Sequence, residues 1–246
     1  MRASFVQRQL PSEQLLFCPF HQLRGHGVIM TESLRRQFER WRVEELLCKY
    51  PGLRLRPMAA SQVIIAGALR FDAEAPGMER IEDEYEVEIS IPGRFPKWLP
   101  SVRETGGRIL PSFHKLDDGS LCLGSPTRLL LLLSESPSIL AFVERCVVPY
   151  LYGYSFYKNH HTMPFGELSH RQQGIREDLA SIFGIERVEA VRGFVRLASI
   201  KKRQANRQPC PCGSNLRLGK CHRLRVNDLR SRLGRYWFAT LYRNLS

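Results

Sequence analysis

The sequence predicts an α+β protein in which one helix precedes an antiparallel meander and further helices follow it. Three observations lead to this prediction: an apolar stripe of helical period over 31–47, strand-like alternation between 53 and 91, and helical patterns after 136. Runs of strands followed by runs of helices are typical of α+β folds, in which helices cover a sheet. Hydrophobic residues make up 43% of the chain, which is enough to bury a core.

The first element is a helix predicted over 31–47. Thr31 is a suitable N-cap, and apolar positions then repeat every three or four residues. These positions are Leu34, Phe38, Trp41 and Leu46. Tyr50-Pro51-Gly52 ends the helix, because proline and glycine both interrupt helical backbone.

Three strands follow in the prediction. Residues 53–56 alternate, 62–71 are rich in Val, Ile and Leu, and 85–91 alternate apolar with polar side chains. In the third strand the apolar side chains should face the core and the polar ones water. The two sets are Val87, Ile89 and Ile91, and Glu86, Glu88 and Ser90.

A short strand near Val102 or over 108–110 completes the predicted meander. Two helices are then predicted, over 136–150 and over 170–183, and Gly184 ends the second of them.

The charge of the chain is concentrated at its C-terminal end. The net charge is +13; from Arg196 onward there are thirteen Lys or Arg and one acidic residue, Asp228, so that segment carries +12 and the rest +1. Residues 201–208 are polar and basic, which predicts a linker. For the basic tail we expect a role in docking a protein partner, with at most weak, nonspecific binding to nucleic acid or to an anionic surface.

The seven cysteines are odd in number and unevenly spaced, which favours reduced thiols in a cytoplasmic protein over a disulfide framework. No secretory signal is expected, and the longest apolar run, the leucines 129–133, is far shorter than the roughly 18 residues of a membrane span. Residues 1–29 show no clear pattern, and Cys18, His21 and His26 are too scattered to predict a metal site.

One thiol is distinguished by its local sequence. The stretch 114–123 places Cys122 shortly after an Asp118-Gly119 turn, with His114 eight residues upstream. The leucines on either side of the cysteine can fix the backbone by burial. A thiol held beside a turn suits a reactive cysteine, and the alternative is a small buried hydrophobic residue.

The most specific short motif is Cys210-Pro-Cys212 followed by Cys221-His222. Three thiols and an imidazole supply the four ligands that zinc prefers in structural sites, with no open position for catalysis. The motif resembles the SEC-C motif, a small zinc-binding module; His222 stands where that family carries a second cysteine or a histidine. The resemblance implies a structural Zn²⁺ ion but no single function, since such modules contact proteins, acidic membranes or nucleic acids.

The order of elements and the stretch ending in Cys122 resemble the ubiquitin-conjugating enzyme (UBC-like) fold. In that family a His-Pro-Asn element leads into a Gly-x-x-Cys-Leu stretch, whose cysteine carries a ubiquitin-like protein as a thioester. Gly119-Ser-Leu-Cys122-Leu123 matches the second half and His114 matches the leading histidine.

Two further features refine this resemblance. Lys115-Leu116 stand where the family carries Pro-Asn, and the spacing to the cysteine is shorter than in eukaryotic members. Residues 164–170 match a Pro-x-Gly-Glu-x-x-His stretch of bacterial relatives found in antiphage operons, including cyclic-oligonucleotide signalling (CBASS) systems.

The resemblance implies that Cys122 is the catalytic thiol. His114 then either takes a proton or holds the loop through backbone hydrogen bonds, and Asp117 or Asp118 either orients a lysine amine or only caps the turn. Because the family's asparagine is absent, the donor for an oxyanion must be a backbone N–H, Ser125 or His114.

The implied function is a thioester with a partner's C-terminal glycine. The partner would be a nucleotidyltransferase of the cyclic GMP-AMP synthase (cGAS-like) type, primed through its C-terminal tail, or a ubiquitin-like protein. The chain lacks a Gly-rich nucleotide fingerprint, so a separate activating enzyme or a neighbouring gene product must supply the activated acyl group. Two other functions stay open: an inert UBC-like adaptor, and a basic nucleic-acid or anionic-surface binder.

The predicted domains are an N-terminal extension (1–29), a UBC-like conjugating domain (30–195) and a basic tail with the zinc motif (196–246). The predicted fold class is therefore α+β, a UBC-like domain followed by a small zinc-binding module.

Overall fold

The computed structural model describes residues 6–7, 32–56, 62–164 and 171–245. They form two compact units: unit 1 lies within Met1–Gly124 and Glu135–Gly166, and unit 2 within Ser125–Ser134 and Glu167–Ser246. These limits differ from the predicted domain boundaries after 29 and 195, which stay a prediction about which parts fold independently.

Unit 1 contains one antiparallel sheet with the strand order β1-β3-β4-β5, in which β2 also pairs with β3. The mixed α+β class predicted from the sequence is confirmed. The strands are β1 (Val6–Gln7), β2 (Leu53–Leu55), β3 (Gln62–Glu74), β4 (Arg80–Pro92) and β5 (Ser101–Glu104). Of the two sites considered for the short strand, the one at Val102 is correct.

The centre of the sheet is the long hairpin of β3 and β4, which pair along their whole lengths from Gln62 opposite Pro92 to Glu74 opposite Arg80. In β4, Val87, Ile89 and Ile91 are fully buried, as their alternation predicted. The burial of alternate side chains fixes the register, because a slip of one residue would expose all of them.

The predicted first helix is two helices in the structure, α1 (Glu32–Trp41) and α2 (Val43–Lys49). Arg42 separates them with a left-handed backbone (φ 55°), which a continuous helix cannot accommodate. The predicted cap, Thr31, lies outside the described residues.

The helix predicted over 136–150 is longer than expected. It comprises α4 (Ile139–Phe142), a π-helical turn (Val143–Val147) and α5 (Val148–His160). Pro149 follows the π turn and lacks an N–H, so the helix cannot make a regular backbone bond there. The aromatic-rich segment 150–157 thus lies within α5, and Tyr152 and Tyr154 are buried in the core of unit 1.

Unit 2 is helical in its described part. Its helices are α3 (Pro126–Glu135), α6 (Arg171–Phe183), α7 (Val191–Ser199), α8 (Lys202–Ala205) and α9 (Arg223–Asn244). They share one hydrophobic core, to which α6, α7 and α9 contribute Phe183, Phe194 and Phe238. Gly184 ends α6 with φ 68°, as predicted, and Gly234 kinks α9 with φ 80°.

Residues 201–208 are not the linker that their composition predicted. Residues 202–205 form α8, and Ala205 is completely buried in the core of unit 2. The sequence does not reveal this buried position, because Ala205 is surrounded by polar residues. A single small apolar residue does not produce the repeating pattern by which a buried helix face is recognised.

Among the described helices, none combines the length and the apolar character that crossing a bilayer requires. The expectation of reduced thiols fails for Cys48, which is disulfide-bonded. Among the residues that the structure describes, the free thiols are Cys122, Cys146, Cys210, Cys212 and Cys221.

Candidate active site and candidate metal centre

The turn before Cys122 is built as the sequence predicted. Gly119 N–H donates to Leu116 O (2.8 Å), and Gly119 has φ 79°, a value that glycine adopts without strain. The Asp118 carboxylate accepts hydrogen bonds from the Ser120 N–H (2.9 Å) and hydroxyl (2.5 Å). These hydrogen bonds from Ser120 lower the pKa of Asp118. Asp118 therefore caps the turn.

The backbone on both sides of the thiol is tied down. Cys122 N–H donates to His114 O (2.8 Å), and Leu121 N–H donates to Val102 O in β5 (2.7 Å). Leu121 is buried, and an isolated β-bridge joins it to Lys115. The Cys122 side chain is nevertheless exposed, so the thiol is held in place and open to solvent.

His114 supports the loop through its backbone. It has a left-handed conformation (φ 37°), and its carbonyl accepts hydrogen bonds from Cys122 N–H and from the Tyr150 hydroxyl (3.2 Å). Its ring packs edge-on against Phe113, with 5.1 Å between the ring centroids. The backbone role is thus visible, while proton transfer by the imidazole stays a prediction.

Tyr150 is a residue of this site that sequence reasoning missed. Its hydroxyl also donates to Phe113 O (3.0 Å), so one side chain from α5 fixes two consecutive carbonyls before the turn. The Tyr150 hydroxyl and the Cys122 N–H donate to the same carbonyl, His114 O, which places the two residues close together. Burial raises the pKa of Tyr150, so its hydroxyl stays protonated as a donor. The aromatic run over 150–157 is the available sequence signal, but such a run is typical of core packing or of an interface and does not indicate a hydrogen-bonding role.

Of the donors considered for an oxyanion, Ser125 is engaged elsewhere. Its hydroxyl donates to the Asp178 carboxylate within unit 2 and accepts from Arg128 N–H at the start of α3. The Cys122 N–H is also occupied. The N–H of Gly124 donates to no group that the structure describes, which leaves it available.

Cys146 shows the opposite environment for a thiol. It is buried in the helical segment before α5, and burial raises the pKa of its thiol to about 12. Only the neutral form is populated at neutral pH, so Cys146 is an inert core residue.

The predicted metal ligands come together in unit 2. One ligand atom from each of Cys210, Cys212, Cys221 and His222 lies within 4.8 Å of the others. Cys212 Sγ lies 3.4 Å from Cys210 Sγ and 3.5 Å from Cys221 Sγ, and His222 Nδ1 lies 3.3 Å and 3.1 Å from the Sγ atoms of Cys210 and Cys221.

These separations fit four ligands arranged as a tetrahedron around one metal ion. With Zn–S of about 2.3 Å, the sulfur atoms at the corners of a tetrahedron are about 3.8 Å apart, and a nitrogen ligand is slightly closer. The donor set of three thiols and one imidazole is also one that zinc prefers. The four residues fit a metal such as zinc, and the protein would fill every position around it.

Local backbone brings the four ligands into place. Gly213 has φ 85°, which lets the chain reverse after Cys212, and Cys210 N–H donates to Leu216 O (2.8 Å) across the loop. The second pair precedes α9, and the His222 ring packs edge-on against Phe194 with centroids 5.1 Å apart. The cluster is therefore continuous with the hydrophobic core of unit 2.

The thiols of the cluster influence one another's pKa values. Burial raises the pKa of Cys210 to about 12. Burial also acts to raise the pKa of Cys212, but hydrogen bonds from Ser214 and the neighbouring thiols outweigh it and lower that pKa to about 6. Metal binding requires the thiols to lose their protons. Cys212, with its lowered pKa, loses its proton most readily, and a bound metal would favour the loss from the other thiols as well.

Four convergent Cys and His side chains that leave no position for a substrate have the arrangement typical of structural metal sites. The SEC-C motif matches residues 207–224, which include all four ligands. No curated protein and no solved structure matches the chain. The match covers a small part of the sequence and concerns the metal centre alone.

Proposed function

We propose that this chain is a cysteine-dependent conjugating protein of the UBC-like type, in which Cys122 forms a thioester with a partner's C-terminal glycine. The observation that carries the proposal is an exposed thiol on a backbone fixed at both His114 and Val102. Access and alignment are the two properties that a covalent nucleophile requires.

The proposed chemistry is two acyl transfers. In the first, the Cys122 thiolate attacks the carbonyl carbon of an activated glycine, a C–S bond forms and the activating group leaves. In the second, a lysine amine or water attacks the thioester carbonyl, the C–S bond breaks, and the attacking atom loses a proton as the thiolate departs. The free N–H of Gly124 is the donor we assign to the oxyanion in both steps.

The positions of the other elements support the same proposal. A helix, an antiparallel sheet, the thiol loop and then a long helix follow one another along unit 1, which is the order of the UBC-like fold. Tyr150 from that long helix fixes the carbonyls of the loop, a task for which the family uses an asparagine. The cGAS-like nucleotidyltransferase or ubiquitin-like partner rests on the resemblance of the Cys122 stretch.

We also propose that the Cys210, Cys212, Cys221 and His222 cluster holds a structural Zn²⁺ ion. A bound ion would supply a cross-link between the loop of the first pair and the start of α9. The chain's own residues contribute the four ligands, and Phe194 orients the imidazole.

The test is to co-express the full chain with the candidate partner and to analyse it by non-reducing gel and mass spectrometry. A thiol-labile adduct should map to Cys122, and Cys122→Ser should convert it into a longer-lived oxyester, because an alkoxide is a poorer leaving group. An adduct on another cysteine would contradict the proposal. Binding of the partner without any adduct would instead establish the inert adaptor.

A further inference from the structure

The proposed conjugation does not use the charged surface of unit 2. Between Glu189 and Asp228 the chain contains ten Lys or Arg and no acidic residue. Two of these, Arg192 and Arg225, donate to backbone carbonyls. The other eight are exposed, and their side chains pair with no residue that the structure describes: Arg196, Lys201, Lys202, Arg203, Arg207, Arg217, Lys220 and Arg223.

Part of this surface is concave. A shallow depression of about 260 Å³ is lined by three cationic and two amide side chains: Lys201, Arg203, Gln204, Arg207 and Gln208. The surface inside the depression is mainly that of the carbon stems of these side chains, and the charged ends of the exposed Lys201, Arg203 and Arg207 extend into solvent around it. Each guanidinium group can donate two parallel hydrogen bonds to one phosphate. No carboxylate lines the depression to oppose an anion.

The backbone under the depression is held in place before any ligand arrives. Ala205 is completely buried in the core of unit 2. Asn206 O accepts a hydrogen bond from Gly219 N–H (3.0 Å), and Gln208 O accepts one from Leu218 N–H (2.9 Å). These bonds join α8 and the residues after it to the loop between the two ligand pairs, so the cationic side chains stand on a fixed support.

We propose that this surface binds nucleic acid through its phosphate backbone, with the phosphate groups held by the cationic side chains around the depression. A protein partner normally presents charges of both signs, whereas ten cations without one carboxylate match a polymer of uniform negative charge. A bilayer mixes zwitterionic with anionic lipids, so its charge is less dense than that of a nucleic acid, which carries one negative charge per nucleotide. Binding of this kind is independent of base sequence and depends strongly on salt.

The experiment measures binding of the full chain, loaded with zinc, to a fluorescently labelled single-stranded oligonucleotide across a range of salt concentrations. We expect a dissociation constant on the order of 1–100 µM at physiological salt. Arg203→Gln with Arg207→Gln should weaken binding about tenfold and reduce the salt slope by about 1.4, because each phosphate contact on a single strand contributes about 0.7.

A matched control pair comes from unit 1, where Arg56 and Lys97 are exposed and pair with no described residue. Arg56→Gln with Lys97→Gln removes the same charge and should leave the affinity and the slope unchanged. Arg203→Lys with Arg207→Lys should retain most of the binding, because the charge stays. Unchanged zinc content and melting temperature would show that each variant is folded.

Three outcomes would overturn the proposal. The first is a salt-independent or undetectable interaction at about 50 mM salt, where phosphate contacts are strongest. The second is an equal loss of affinity in the depression variant and the unit 1 control. The third is displacement of the oligonucleotide by polyglutamate as effectively as by unlabelled oligonucleotide, or binding to phosphatidylserine vesicles without binding to the oligonucleotide.

Discussion

Unit 1 and unit 2 both present cysteine thiols, but in opposite arrangements. In unit 1 the backbone on both sides of one exposed thiol, Cys122, is fixed by hydrogen bonds to His114 and Val102. In unit 2 the sulfur atoms of three thiols and one imidazole nitrogen lie within 4.8 Å of one another. The number of ligand groups that meet at one point, and not the residue type, therefore distinguishes a thiol that is open to reaction from one that can share a metal ion.

The largest expected effect is the loss of the metal. Cys212→Ser should abolish zinc binding and unfold much of unit 2, because structural zinc in small peptides contributes on the order of 10–16 kcal/mol at neutral pH. Core residues such as Val226 and Phe238 share one cluster with Cys210 and should become accessible to protease. Metal analysis and limited proteolysis with mass spectrometry measure both effects.

Cys122→Ser is the matched control for that experiment, since it removes a thiol that is no ligand and should leave zinc and protection intact. The structural metal site is refuted if protein purified without chelator contains no zinc. It is also refuted if α9 resists protease in the Cys212→Ser variant as well as it does in the unchanged chain.

The next effect distinguishes the exposed thiol from the buried one. Cys122→Ala should eliminate the adduct and change the free energy of unfolding by less than about 0.5 kcal/mol, because the side chain is exposed. Cys146→Ala should keep the adduct and cost about 1 kcal/mol, because it leaves a small cavity. Gel analysis measures the adduct and thermal unfolding measures the stability, and we expect each variant to lose only one of the two. A Cys122→Ala protein that still forms the adduct would show that Cys122 is not the reactive thiol.

A smaller effect concerns the tyrosine that holds the loop. Tyr150→Phe removes the hydrogen bonds to Phe113 O and His114 O, and we expect it to slow acyl transfer about tenfold while costing about 1 kcal/mol of stability. Tyr152→Phe is the control, since its hydroxyl donates to Glu79 O elsewhere in unit 1. Equal transfer rates in the two variants would remove Tyr150 from the site.

The smallest effect is the titration of the turn. Ser120 lowers the pKa of Asp118, so the cap contributes stability above the ordinary carboxyl pKa and loses it as pH falls through the lowered value. The NMR shift of the Ser120 amide should therefore change at a pH below about 3.9, the value for a free Asp. Asp118→Asn should abolish this transition and Asp117→Asn should preserve it; a transition at or above the free value would show that the cap is absent in solution.

The sheet and the metal ligands were predictable because each has a strong local signal. Alternation over 85–91 placed Val87 and Ile89 inside, and the spacing of Cys210, Cys212, Cys221 and His222 predicted their convergence. Both signals depend on residues close together in the sequence, where the geometry of the backbone fixes which side chains meet.

The rest depends on contacts between distant residues. Tyr150 lies 36 positions after His114, and nothing in a local pattern relates its hydroxyl to that carbonyl. The apolar face of α7, which carries Phe194 into the core, is a local pattern that the sequence does contain, because its two arginines lie on the exposed side. In α9 the kink at Gly234 interrupts the helical period, which obscures the face that carries Phe238. The break between α1 and α2 at Arg42 also lacks a sequence signal, since arginine has no special preference for a left-handed backbone.

Unit 2 is built from two separate segments of the chain, Ser125–Ser134 and Glu167–Ser246, which has a consequence for its synthesis on the ribosome. Leu131 in α3 packs on the core of unit 2, and its carbonyl accepts a hydrogen bond from Arg232 (2.8 Å), a residue made 101 positions later. At roughly 5–20 residues per second, α3 waits about 5–20 s for this partner. During that time Leu131 and its neighbouring leucines lack the cover that the later part of unit 2 supplies, so we expect this apolar segment to be most prone to aggregation before α9 emerges.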